Sequence, residues 1–267
     1  MNIDISRRHH LILEYIREHG SVQVDQLSSH LDVTPQTIRR DLNQLYERQL
    51  LQRVHGGAVV KDSVENLGYG ARKILMAEEK SAIAQRAAEL IPDNSSLFIN
   101  IGTTTERVAE YLYQHKGLLV ITNNINVASM LWPAPGIEVM IAGGAIRRSD
   151  GGIVGPSAEE FIENFKVDYA IISCSAIDND GEVYDYDFRE VRVTRAIIEH
   201  ARSVILVTDS LKFERRAPIR IGNLSNLGVL VTDAGIPEEA IQLCQQLKVK
   251  LEIVAHDETD EQAVGNA

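Results

Sequence analysis

Apolar positions in the first sixty residues recur at helical spacing. Leu11, Ile12, Tyr15 and Ile16 make one stripe of an amphipathic helix running from Arg7 to His19, which Gly20 stops. Val24, Leu27 and Leu31 repeat the pattern more briefly before Asp32-Val33 breaks it, so a second helix is expected over 24–31. Thr34 is then an N-cap candidate, with Pro35 at the first helical position where its missing N–H costs nothing, and a third helix is predicted to about Gln49. Beyond it, Leu51-Gln52-Arg53-Val54 and Ala58-Val59-Val60 flank His55-Gly56-Gly57, the pattern of two short strands joined by a glycine turn.

After Val60 the stretch through residue 78 is polar and glycine-bearing with little period, which places a linker at 61–78. From Glu79 onward the pattern changes. Helical periodicity at 79–91, 104–115, 125–132, 156–165, 189–202 and 237–247 alternates with apolar runs at 97–101, 118–122, 139–142, 169–173, 204–208, 229–232 and 251–254. Such alternation predicts an α/β domain over 79–255, a doubly wound, mostly parallel sheet with helices on both faces. The expected organisation is therefore a winged helix-turn-helix domain at 5–60, its helix-turn-helix at about 22–41, then the linker, the α/β domain and a polar, acidic tail at 256–267.

Composition sharpens this division. The 267 residues are 44% hydrophobic, enough for one sizeable core and a small second domain. Cys174 and Cys244 show neither CxxC nor Cys/His spacing, so no disulfide framework, metal or cofactor is expected. No apolar run approaches the ~20 residues of a membrane span, and MNIDISRRHH lacks the apolar stretch of a signal peptide; the expectation is a cytoplasmic protein with no membrane partner. The net charge of −11 would argue against a polyanionic partner if it were spread evenly. It is not: residues 1–60 hold seven Lys/Arg and seven Asp/Glu, so the whole deficit lies in 61–267.

The third helix reads as a nucleic-acid surface. Ile38, Leu42 and Leu45 share one face, while Gln36, Arg40 and Asn43 project from the opposite one, flanked by Thr37 and Arg39. Arginine forks suit guanine edges, and amides suit adenine. A capped third helix after a short turn, with such residues in its first two turns, is how a helix-turn-helix enters the major groove. A solvated surface helix is the bland alternative; the preceding helix pair, the Thr34-Pro35 start and the Gly-Gly hairpin favour double-stranded DNA. Arg53, His55 and Lys61 are wing-side candidates for phosphate contact.

In the second domain, the run Leu97–Ile101 leads into Gly102-Thr103-Thr104-Thr105 and then a helix, so N–H groups and hydroxyls cluster at a helix N-terminus, a means of holding phosphate. An ordinary threonine cap is the alternative. Asn123-Asn124, Gly143-Gly144 and Asp209-Ser210 end other apolar runs, and in open α/β sheets ligands bind beyond the carboxyl ends of strands. Lys212 could add a charge-assisted contact to a phosphorylated metabolite. The acid-rich segment from Asp178 to Glu190 has no metal-ligand spacing and reads mainly as a solvated loop; Cys174 reads as a small core residue.

Residues 5–60, with SVQVDQLSSHLDVTPQTIRRDLNQL and RVHGGAVV, resemble the N-terminal domain of DeoR-family bacterial transcriptional regulators. IGTTTERVA, VITNNINVASML, IAGGAIRRSDGGIVG, EVRVTRAIIE and DSLKF extend the resemblance to about Val254, most closely to the branch that represses glycerol-3-phosphate regulons. The resemblance implies a repressor of carbon-metabolism genes whose operator affinity is lowered by a phosphorylated effector. It implies a C-terminal fold like ribose-5-phosphate isomerase, a homo-oligomer (dimer or tetramer) and no enzymatic activity, although a sugar-phosphate isomerase or deaminase is the alternative on that fold. Residue by residue, it matches Gly102, Thr103, Thr104 and Thr105 to the phosphate loop, Asp178 to a pocket acid and Lys212 to the lysine of a DxSK motif. Thr194 stands where the family usually has a basic residue, and Leu211 where it has serine.

Overall fold

In the computed structural model, which describes residues 8, 9, 11–13, 15, 16, 21–47, 51–54, 57–60 and 69–255, Thr34 opens the third helix with its side chain. Its Oγ1 accepts from Thr37 N at 3.2 Å, satisfying a donor that the first turn leaves without a helical partner, while its carbonyl accepts the first helical bond, from Ile38 N at 3.1 Å. The chain divides into two compact units, residues 1–77 and 78–267.

Unit one begins with α1, helical at 8, 9, 11–13, 15 and 16, followed by β1 (Ser21–Gln23), α2 (Val24–His30) and α3 (Pro35–Glu47). The strands β2 (Leu51–Val54) and β3 (Gly57–Val60) then form an antiparallel hairpin, and α4 spans Tyr69–Ile74. The apolar stripes meet as expected: Ile12, Ile16, Leu27, Ile38, Leu42 and Leu45 are all buried. Each such side chain contributes roughly 1.5–3 kcal/mol when fully removed from water. β1 is a third strand, paired to β3, that the pattern alone did not reveal, because three residues are too few to show alternation. The expected linker also differs. Residues 61–68 lie outside the described residues, but 69–74 are helical and the next helix begins at Ala77.

Unit two alternates strand and helix. α5 (Ala77–Glu89) leads to β4 (Ser96–Ile99), α6 (Thr103–Leu112), β5 (Leu118–Thr122), α7 (Ile125–Leu131) and β6 (Ile137–Ile141). The short pair β7 (Ala145–Ile146) and β8 (Ile153–Val154) precedes α8 (Pro156–Glu163) and β9 (Val167–Ile172). A hairpin of β10 (Ala176–Ile177) and β11 (Glu182–Asp185) follows, then α9 (Phe188–Glu199), β12 (Ala201–Val207) and β13 (Ile219–Asn223). β14 (Val229–Asp233), α10 (Glu238–Leu247) and β15 (Lys250–Val254) complete it.

The main sheet has seven strands in the order β15-β14-β12-β9-β4-β5-β6, all parallel. The chain starts at β4 in the middle, winds outward to β6, then returns to β9 on β4's other side and winds the opposite way. That reversal makes the β4–β9 junction the topological switch point, where a crevice opens beyond the strand ends. One apolar layer under α8, α9 and α10 and another under α5, α6 and α7 cover the two faces.

A second sheet, β10-β11-β13, is antiparallel and corrects the expectation of a solvated loop over the acid-rich segment. Along Glu182-Val183-Tyr184-Asp185, Val183 and Asp185 face inward and are buried, and Glu190 is buried too. A carboxylate on each face, Glu182 outward and Asp185 inward, masked a period-two strand.

Candidate functional site

On α3, the structure separates the TIRRDL motif by helix phase. Ile38 and Leu42 are in the core; Gln36, Arg39, Arg40 and Asn43 are exposed, as is Thr34, with Thr37 half-buried. Asp41 turns inward. It accepts from Arg8 through Nε at 2.5 Å and Nη2 at 3.0 Å, and His9 Nε2 lies 3.5 Å away, all buried. The acid of the motif therefore ties α3 to α1, a role that sequence spacing did not reveal, and Arg8 is taken up by it. Arg53 is on β2; His55 and Lys61 lie outside the described residues.

At the switch point, Gly102 links β4 to α6. A Cβ on it would fall 2.2 Å from Ser173 Oγ, at the end of β9, so a side chain here would have to turn Ser173 away from its bond to the Ile101 carbonyl. Thr105 Oγ1 donates to the carbonyls of Asn100 and Gly102, both at 2.8 Å, which shapes the turn. Backbone N–H groups of Thr103, Thr104 and Thr105 open the first turn of α6, at the positive end of its dipole.

Asn123 and Asn124 end β5 and are fully buried. Asn124 Oδ1 caps α7 by accepting from Asn126 N at 2.9 Å, and its Nδ2 donates to Glu106 Oε1 at 3.1 Å. Asn126 Nδ2 donates to the same oxygen at 2.9 Å and to Asp150 O at 3.0 Å. Asn123 Nδ2 donates to Ile153 O at 3.1 Å, seating β8 against the strand ends. Gly143 and Gly144 lead from β6 into β7 and are exposed.

The loop between β7 and β8 is anchored by Arg147. Its guanidinium grips Asp150 with two bonds of 2.8 and 2.7 Å, and reaches Asp187 at 3.1 Å and Glu190 at 2.5 Å on α9. Burial works against this charge, but hydrogen bonding to Asp150 and the Glu190 charge overcome it and raise the pKa further, so Arg147 stays cationic. Asp187 is held well below the usual carboxylate range, first by the Arg189 side chain and then, against burial, by the Arg189 N–H and Arg147. Thr194 on α9 accepts from Asn100 Nδ2 at 2.8 Å and donates to Glu190 O at 3.0 Å. The threonine that departs from the family's usual basic residue is thus buried and tied to the end of β4.

Lys212 lies in a single 3₁₀ turn, Ser210–Phe213, after β12. Burial pushes the Cys174 thiol up to about 12, with the Lys212 charge offsetting part of that, so the lysine stands near the end of β9 and the thiol is an unreactive core group. Lys80, from α5, is buried with its Nζ 3.8 Å from Asp209 Oδ2, another cation at the strand ends that its helical pattern concealed. Asp178 occupies the turn between β10 and β11, where its N–H donates to Glu182 O, and the neighbouring Gly181 packs toward Leu243 and Leu247 of α10. Asp185, at the opposite end of the hairpin, is within electrostatic range of Cys174, as is Asp209. Among the described residues no group of three or more metal-ligating side chains converges, and no helix is long and apolar enough to cross a membrane.

A profile described as the DeoR-like helix-turn-helix domain matches residues 8–64, and one described as the DeoR C terminal sensor domain matches residues 75–234. The chain belongs to the DeoR family. Against its relatives it is 43% identical over 248 residues to the glycerol-3-phosphate regulon repressor of Escherichia coli (strain K12), covering 93% of this chain and 98% of that one. It is 42% identical over 235 residues to the HTH-type transcriptional repressor CsqR of the same organism, covering 88% and 90%. Among solved structures, ribose 5-phosphate isomerase from Plasmodium falciparum overlays with a TM-score of 0.39 at 14% identity over 52% of this chain and 53% of its own, too distant to carry an argument. As a DeoR-family protein the chain is a DNA-binding transcriptional repressor and not an enzyme, with operator DNA as its partner.

Proposed function

We propose that this repressor releases its operator when a phosphorylated carbon metabolite, glycerol 3-phosphate or a sugar phosphate, binds at the ends of β4 and β9. The observation that carries the reading is the Gly102–Thr105 turn. It lies at the switch point, its glycine closes on Ser173 at the end of β9, and its N–H groups begin α6. Lys212 supplies charge near the neighbouring strand end, and the name borne by the 43% identical relative supports a glycerol-3-phosphate link. On the DNA side, Gln36, Arg40 and Asn43 read base edges, with Thr34, Thr37 and Arg39 beside them and Arg53 and His55 on backbone phosphates. The protein acts in the cytoplasm as a homo-oligomer, because a winged domain reads one half-site and paired half-sites need two.

Coupling between effector and operator of ~1–3 kcal/mol would lower DNA affinity by about 5- to 150-fold. The test is a thermal-shift screen of glycerol 3-phosphate and sugar phosphates on the full chain, followed by operator binding with each hit. A compound that raises the melting temperature and weakens operator binding supports the proposal. If no phosphorylated compound does both, it fails.

A further inference from the structure

The walls of the strand-end site bear on the ligand's organic body as well as on its phosphate. Glu106 stands one residue beyond the Gly102–Thr105 turn, 3% exposed, its Oε1 accepting from the side-chain amides of Asn124 and Asn126. The N-terminus of α7, which could otherwise attract a second anion, is therefore already faced by a carboxylate fixed to the protein. Further round, Asp150, Asp187 and Glu190 bind the guanidinium of Arg147, and Asp187 binds that of Arg189 as well. A ligand bringing another acid to this side of its phosphate meets the Glu106 carboxylate in a buried setting, where repulsion is poorly screened.

Asn123 supplies an independent observation. It is fully buried one residue past the Ile99–Thr122 pair that joins β4 to β5, and its Oδ1 has no hydrogen-bond partner among the described residues. A buried acceptor without a donor is costly, and the group that satisfies it must donate. An alcohol does so; a carboxylate does not.

Resting on the phosphometabolite reading above, we infer that the strand-end site selects a monophosphate with a neutral, hydroxylated body, Glu106 excluding a second acidic group and Asn123 accepting a ligand hydroxyl. Glu106 acts as a specificity-determining residue through its charge, while its hydrogen bonds hold the two asparagines that start α7.

Three probes on one skeleton test this by calorimetric titration of the full chain: glycerol 3-phosphate, 3-phosphoglycerate, which carries a carboxylate in place of the terminal alcohol, and propyl phosphate, which lacks both hydroxyls. Ribose 5-phosphate and 5-phosphoribonate form a second neutral and acidic pair for a longer pocket. In the wild type, the neutral polyol phosphate should bind at least about tenfold more tightly than its acidic counterpart, and glycerol 3-phosphate should exceed propyl phosphate by a similar factor. Glu106→Gln keeps an oxygen that accepts from both asparagine amides. It should remove on the order of tenfold of the discrimination against the acid while leaving that against propyl phosphate intact. Retained binding of the neutral probe shows that the variant is folded. Equal binding of acid and polyol in the wild type, or an unchanged ratio in Glu106→Gln, overturns the inference and leaves the phosphate reading standing. If none of the phosphates binds, the phosphate reading itself falls and this inference with it.

Discussion

Arg39, Arg40 and Asp41 are consecutive, yet helix phase sends the two arginines outward and the aspartate into the core against Arg8 and His9. Their substitutions should therefore fail in different ways. Asp41→Ala leaves the buried Arg8 guanidinium without its bidentate acceptor, and breaking such a pair typically costs ~3–5 kcal/mol. Chemical denaturation should show that loss, and a change below about 1 kcal/mol would mean the pair is dispensable to the fold. Arg40→Ala removes no buried contact, so stability should stay within about 0.5 kcal/mol. Its cost should appear in operator affinity instead, roughly 1–3 kcal/mol with relaxed preference at the base it reads. Electrophoretic or fluorescence titration on operator DNA and on variants at that base measures both effects; unaltered affinity would place the reading face elsewhere on α3.

At the scale of elements, the pattern of apolar residues located nearly every helix and strand of the main sheet, because a parallel sheet buried on both faces writes its strands as plain apolar runs. Leu118–Thr122 is such a case, predicted and observed over the same residues. The parts that stayed hidden are those whose spacing carries no such signal. β1 is too short, β11 carries a carboxylate on each face, and α4 falls in a stretch with two glycines. The strand-end turn was legible from Gly102-Thr103-Thr104-Thr105 alone, whereas Glu106, Arg147 and Lys80 were not, since a charged residue on a helix or loop looks solvated until the fold buries it. The turn also makes a prediction about the element it begins. Gly102→Ala places a methyl group against Ser173 Oγ and should either turn Ser173 from its bond to the Ile101 carbonyl or push α6 from the end of β9. Effector response should then be lost, with operator affinity retained, giving repression that the metabolite no longer relieves. A variant still released from the operator by the wild-type effector concentration would show that the close approach of Gly102 to Ser173 is not needed for sensing.

Over the whole molecule, charge and geometry have to be considered together. The formal −11 belongs to residues 61–267, and the seven basic residues of 1–60 are matched by seven acids, with Arg8 further committed to Asp41. A single winged unit thus brings few cations to DNA and cannot rely on bulk attraction; the acidic second unit discourages nonspecific contact. Each phosphate neutralised contributes about −0.9 to the slope of log affinity against log salt, so one copy should show a shallow slope and weak binding. Affinity then has to come from two copies engaging two half-sites at once, which raises the effective local concentration of the second domain. The half-sites should be centred one helical turn apart or a multiple of it, about 10–10.5 base pairs per turn, so that both α3 helices meet the same face of the duplex. Inserting about 5 base pairs between them rotates one half-site to the opposite face and should cost most of the cooperative gain, while inserting about 10 should restore part of it. Titrations of the spaced operators and of an isolated half-site at two salt concentrations measure this directly. Equal affinity for a single half-site, with the same salt slope, would mean that one winged domain is sufficient and that the neutral charge of residues 1–60 does not limit binding.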